Sequence, residues 1–273
     1  MFFAGKQPAR FYPELTRFTE LKTALTIPTP VFKEGWGYGM DFPDGPEGWR
    51  MLGNGPSDDG SIPQSDIAAL KGAGDCAWAG PAHETMLLCK NAKRPIPNFT
   101  GLNVLEQYSE YSGYNLVTGA NDTGSDVVQV LRWRQTKGLV DADGNVHKIG
   151  AFVSLEMGNI SELWNALYYF DCVGIGITLP ESVMTQTNNG QMWSVVPGAQ
   201  IIGGHYIPLV GRPREDVWTC VTWGQRQTMT EQFIKTYMDE AYAYITPERY
   251  NAVTGESPQD EKDYDLEKFL SLL

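Results

Sequence analysis

The chain has 273 residues, with 33 Asp and Glu against 21 Lys and Arg, for a net charge of −12, and its apolar fraction is 42% with 8 Trp, 13 Tyr and 11 Phe. That content supports a sizeable core and excludes global disorder. A negative field repels nucleic-acid phosphates, and no basic stripe with interleaved aromatics offsets it, which argues against DNA or RNA as a partner. No apolar run approaches the roughly 20 residues that cross a bilayer. Met1–Arg10 lacks the charged-then-apolar order of a secretory leader. The expected setting is a soluble intracellular compartment or an assembled particle.

Residues 1 to 60 are dense in Pro, Gly and aromatics, with Pro28, Pro30, Gly35, Gly37, Gly39, Pro43, Gly45 and Pro46 breaking helix and strand alike. They read as an extended arm with turns, holding one short amphipathic helix over Pro13–Leu25. Phe2, Phe3, Phe11, Trp36, Phe42 and Trp49 make it too apolar for a free linker, so it should lie on its own domain or on a neighbouring subunit.

Asp75–Asn91 predicts a helix, with Trp78, Ala82, Met86 and Cys89 at helical spacing. Further helices are expected over Asn103–Tyr114, Asp122–Gly138 and Ile160–Phe170, with a turn at Asp141–Asn145. Asp122–Asp126 resembles part of a calcium loop but lacks its terminal Glu, and reads as a helix cap. Strands are then expected over Val173–Leu179, Ile201–Val210 and Val217–Thr222, the last two joined by a hairpin at Gly211–Asp216. A helix over Thr230–Glu240, a closing strand over Ala241–Thr246 and an acidic tail over 247–273 complete the chain. Helices before strands, without βαβ alternation, argue an α+β fold.

The four cysteines, Cys76, Cys89, Cys172 and Cys220, form no CxxC pair, and three histidines offer no zinc spacing, so no metal or cofactor is expected. Three of the cysteines read as buried apolar residues. Cys76 differs: at the first turn of a helix the free N–H groups and the dipole stabilise a thiolate. Gly72, Ala73 and Gly74 before it let backbone amides face a substrate carbonyl. His205 follows Gly203–Gly204 at the start of an apolar strand and can project across a cleft. His83, seven residues after Cys76, stands about 10 Å along the helix and is too far to serve as a base; it reads as structural, and His147 as a surface residue.

Cys76–Ala77–Trp78–Ala79, Gly204–His205–Tyr206–Ile207 leading to Val210–Gly211, and Val221–Thr222–Trp223–Gly224 occur in the order of the Cys-Trp-Ala, Gly-His-Ala-Val and Asn-Ser-Trp-Gly motifs of papain-like cysteine peptidases. His205 and Trp223 stand 18 positions apart, as that family's spacing requires. The chain therefore resembles this superfamily over about residues 50–246, and in overall pattern it resembles papain-like proteins of bacteriophages and prophages. The resemblance implies a helical lobe carrying the Cys and an antiparallel β lobe carrying the His. It divides the chain into an arm (1–60), a papain-like domain (61–246) and the tail.

By the same resemblance Cys76 is the nucleophile and His205 its base, with Trp223 shielding the histidine. Val221 stands where the family has its imidazole-orienting Asn; Thr222, Gln225 or Gln227 are the substitutes at hand. Leu70 occupies the position of the oxyanion Gln, leaving Asn54 (if Asp58–Lys71 is an insertion) or Gln64 as candidates. The implied function is a thiol hydrolase acting on an amide or isopeptide bond of a protein or peptide, in a bacterial cytoplasm or a virion. The alternative is an inactive scaffold serving as a structural component of a phage particle, docked on neighbouring subunits through the arm.

Overall fold

The computed structural model describes residues 5–25, 29–53 and 73–246. Asn54, Gln64, the proposed 58–71 insertion and the acidic tail lie outside the described residues.

One lobe is helical. α1 (Phe18–Leu25) lies apart, in the arm; α2 (Cys76–Asn91), α3 (Gly101–Ser112) and α4 (Val127–Thr136) gather Trp78, Met86, Leu105, Tyr108, Val128 and Leu131 into one buried cluster. The helix ends are set locally. Thr100 caps α3 through a capping box with Asn103, Gly113 closes it at φ 75°, and the Asp126 carboxylate accepts the Gln129 N–H at the start of α4.

The second lobe is an antiparallel sheet. Its order is β4 (Ala151–Ser154), β9 (Met238–Ile245), β5 (Val173–Pro180), β6 (Ile201–Arg214), β7 (Val217–Thr222), β8 (Gln225–Thr230), with β1 (Trp36–Gly37) added along β6. β2 (Leu139–Val140) and β3 (Val146–His147) form a separate hairpin around the expected 141–145 turn. α5 (Ile160–Phe170) and α7 (Glu231–Tyr237) bury Leu167, Phe170, Phe233 and Ile234 against Ile175, Ile177 and Trp218 of the sheet. A short α6 (Ser182–Asn188) follows β5. The α+β, papain-like class is the observed one.

Several boundaries differ from expectation for tertiary reasons. α1 begins at Phe18 instead of Pro13, because Thr16 accepts the Ser154 N–H and Arg17 bridges Ser154 beside β4. Residues 122–125 stay outside α4, since the Asp122 carboxylate turns back to the Gly74 N–H at 2.9 Å. The helix expected to Glu240 stops at Tyr237, where β9 begins pairing with Ile177 of β5. β8 carries one apolar residue, the fully buried Met229; its otherwise polar sequence Gln225–Thr230 is held by six register pairs with β7.

The arm packs on its own chain. Phe18 and Trp36 join the sheet-side core, while Phe42 and fully buried Trp49 join the helical-lobe core. Each such aromatic contributes about 1.5–3 kcal/mol of burial. Trp36 stacks on Tyr168 at 5.6 Å, and the Tyr38 hydroxyl donates to the Tyr168 carbonyl.

Candidate active site

Cys76 is the first residue of α2, and its position is held from three sides. The Gly74 N–H donates to both Asp122 oxygens at 2.9 and 3.0 Å, and the Tyr108 hydroxyl fixes that carboxylate at 2.6 Å. The Trp78 indole donates to Ser125 Oγ at 3.0 Å, which ties the first turn of α2 to the loop before α4. Across the lobe boundary, the Tyr206 backbone N–H donates to Cys76 Sγ at 3.4 Å. A buried ion pair between Glu84 and Arg134 at 2.8 Å accepts the Tyr206 hydroxyl at 2.8 Å, locking α2, α4 and β6 together.

His205 sits on β6 beside Tyr206, opposite Ile177 of β5. Its Nε2 is 2.8 Å from Thr222 Oγ1, and Trp223 stacks on its ring at 5.2 Å with 20° between planes. Trp223 and Gly224 take left-handed backbone, φ 50° and 73°, and this turn brings the indole back over the imidazole. Nδ1 of His205 is buried without a hydrogen-bond partner. Cys76 and His205 line one cavity of about 30 Å3 with Asp75, Val221, Thr222 and Trp223, room for about one water.

Of the candidate substitutes at the Val221 position, Thr222 reaches the imidazole. Gln227 donates instead to the Gln191 and Thr228 carbonyls, and Gln225 pairs in register with Thr222 on β8 without lining the cavity. His83 donates to the Arg50 carbonyl at 2.8 Å and packs edge-on to Trp49. His147 is half-buried, 3.1 Å from Asp141, so it is more enclosed than a surface residue. Cys89, Cys172 and Cys220 are free, buried thiols. Among the described residues, no group of three His, Cys, Asp or Glu converges to hold a metal.

Sequence reasoning missed what covers the site. The segment Gly5–Gln7 lies between the lobes: Ser125 N–H donates to the Gly5 carbonyl at 2.8 Å, Gln7 N–H to the Ser125 carbonyl at 2.9 Å, and Lys6 N–H to the Gly204 carbonyl at 3.0 Å. A Cβ on Gly5 would stand 1.9 Å from the Gly74 carbonyl carbon, so only glycine fits this contact. The single signal for it in the sequence is that glycine within an otherwise unremarkable N-terminus.

This cover changes the electrostatics. A thiolate at a helix start was expected, but burial pushes the Cys76 thiol up to about 11, with the Tyr206 and Gly5 backbone offsetting only part of it. Burial likewise lowers His205 to about 4. Desolvation outweighs the helix terminus, and the dyad rests as neutral thiol and neutral imidazole in this covered form.

The architecture is that of the papain-like cysteine proteases. Among solved structures the chain is similar to xylellain, a cysteine protease from Xylella fastidiosa, with a TM-score of 0.60 and 13% identity over 89% of this chain and 96% of that one. It is also similar to procathepsin L2 from Tenebrio molitor larval midgut, with a TM-score of 0.56 and 9% identity over 89% and 78% of the two chains. Procathepsin B S9 from Trypanosoma congolense matches with a TM-score of 0.52 and 11% identity over 90% and 86%. At such identities the likeness establishes the fold. No protein-family model and no curated protein matches the sequence.

Proposed function

We propose that the chain is a cysteine hydrolase of peptide or isopeptide bonds whose N-terminal segment holds its cleft closed. The observation that carries this reading is the polarity of His205: Nε2 is engaged by Thr222, while Nδ1 is buried without a partner, and His205 and Cys76 line one cavity. With the Thr222 oxygen accepting from Nε2–H, the Nδ1 lone pair is available as a base.

In the uncovered state, Cys76 Sγ–H passes its proton to Nδ1 and the thiolate attacks the substrate carbonyl. The resulting oxyanion faces the backbone N–H at the start of α2. Collapse expels the amine, which takes its proton from the imidazolium and leaves a thioester on Cys76. Water, deprotonated by Nδ1, then releases the acid and regenerates the thiol. Trp223 keeps bulk water off the imidazole throughout. Asn54 and Gln64 remain proposals for a second oxyanion donor.

A second reading, a catalytically silent scaffold, draws on the neutral dyad and on the hydroxyl that stands in for an amide. Iodoacetamide alkylation read by mass spectrometry separates the two. The hydrolase reading expects a Gly5→Ala chain to react at Cys76 far faster than at Cys89, Cys172 or Cys220, with His205→Ala slowing it. Equal reactivity at all four thiols in that variant supports the scaffold.

A further inference from the structure

The Lys6 side chain runs inward from the cleft and is fully buried. Its Nζ stands 2.9 Å from Glu240 and 3.0 Å from Asp239, both on β9, and donates to its own neighbour's carbonyl at Gln7, also 3.0 Å away. The Tyr242 hydroxyl donates to the other Glu240 oxygen at 2.9 Å and holds that carboxylate in place. The passage for the lysine stem exists because β5 carries Gly176: a Cβ there would stand 2.5 Å from Glu240 Cγ and 2.7 Å from Lys6 Cε. The Glu240 side chain, 7% exposed, is costly to enclose without a cation, and Asp239, 24% exposed at the rim, adds a second negative charge, so the pocket is built for a long side chain ending in positive charge.

The pocket also has a fixed relation to the dyad. The backbone of the residue that fills it bonds to Gly204, next to His205, and the preceding residue, Gly5, packs against the Gly74 backbone two positions before Cys76. Any peptide that replaces the segment by pairing with Ser125 and Gly204 places a side chain over the same opening. We infer that Glu240 and Asp239 select substrates carrying Lys or Arg at the position that enters this pocket, and that Lys6 is the chain's own occupant of it. This rests on the hydrolase reading for its meaning as substrate specificity, but the binding preference stands independently.

The test uses the full chain with Gly5→Ala and Lys6→Ala together, which displace the segment and empty the pocket, in Cys76→Ala and Cys76-bearing forms. Probes are fluorescein-labelled Ala-Gly-Lys-Gln-Pro, copying residues 4–8, and the same peptide with norleucine or glutamate in place of lysine. By anisotropy, the Cys76→Ala form is expected to bind the lysine peptide at least about tenfold tighter than the norleucine one, with the preference lost on adding Glu240→Gln. Equal binding of lysine and norleucine peptides, or no binding of any, overturns the inference. Lysine-selective binding without cleavage of a lysine-containing coumarin amide by the Cys76 form overturns the hydrolase reading and leaves the pocket standing. Cleavage indifferent to lysine does the reverse. Should the double variant fail to fold, the same comparison in Gly5→Ala alone, where the clash with Gly74 displaces the segment, gives the same decision.

Discussion

Thr222 Oγ1 stands 2.8 Å from Nε2 of His205, with both residues buried beneath the Trp223 indole. A hydroxyl can accept from Nε2–H and so hold the ring with Nδ1 left unprotonated, but it grips by one atom on a short side chain. Thr222→Val removes that grip at nearly constant volume and is expected to lower kcat by about 100-fold, the scale of a positioned proton transfer, with KM little changed. Thr222→Ser should restore most of it. Equal loss in both variants points to packing around Trp223 instead of ring orientation.

The covered dyad predicts an unusual reactivity profile. With the Cys76 thiol raised from 9.0 to about 11, alkylation of the unaltered chain should be slow at neutral pH and rise only toward pH 11. Gly5→Ala should shift that rise to lower pH, because water and the α2 terminus then share the thiolate. The check is the rate of Cys76 modification across pH 6–11 in both chains; superimposable profiles show that the segment does not control the thiol.

Burial of two neutral imidazoles makes the fold acid-sensitive. His83 and His205 are each lowered from 6.5 to about 4, so the folded state binds their protons less readily than the unfolded chain. The stability they contribute is present above pH 6.5 and is lost as pH falls toward 4, by up to about 3 kcal/mol each. Urea midpoints should fall through this window, and His83→Gln, which keeps a donor for the Arg50 carbonyl, should flatten the fall by about half. An unaltered pH dependence in His83→Gln would show that its burial is relieved before unfolding.

The Glu84–Arg134 pair is buried within the helical lobe, with side-chain exposures of 0% and 1%, and Glu84 accepts the Tyr206 hydroxyl from β6 of the other lobe. Arg134→Met leaves the Glu84 carboxylate buried with only the Tyr206 hydroxyl as a partner, an uncompensated charge that should cost about 3–5 kcal/mol in chemical denaturation. Adding Glu84→Leu should recover much of that loss, since an apolar pair needs no compensation. A double variant as unstable as the single one would place the cost in lost packing over Tyr244, whose ring lies 4.5 Å from the Arg134 guanidinium.

The sequence by itself determined the local parts of this protein. A small-residue run before Cys76, the 3.6-residue spacing behind it, the Gly-Gly step before His205 and the 18 positions to Trp223 act within one element or one hairpin, where spacing dictates geometry. From these the α+β class, α2, α5 and the β6–β7 hairpin were legible. The tertiary structure alone decided what depends on distant chain segments meeting. It chose Thr222 over Gln225, because strand register and the left-handed turn at Trp223 aim one side chain and not the other. It started α1 late and ended α7 early, by pairing with β4 and β5. It brought Lys6 across 233 positions to Asp239 and laid Gly5 over Cys76. Burial of the whole site reversed the thiol's expected shift, against the lowering by the Gly5 and Tyr206 backbone, since desolvation depends on everything packed around a group and no local pattern encodes that.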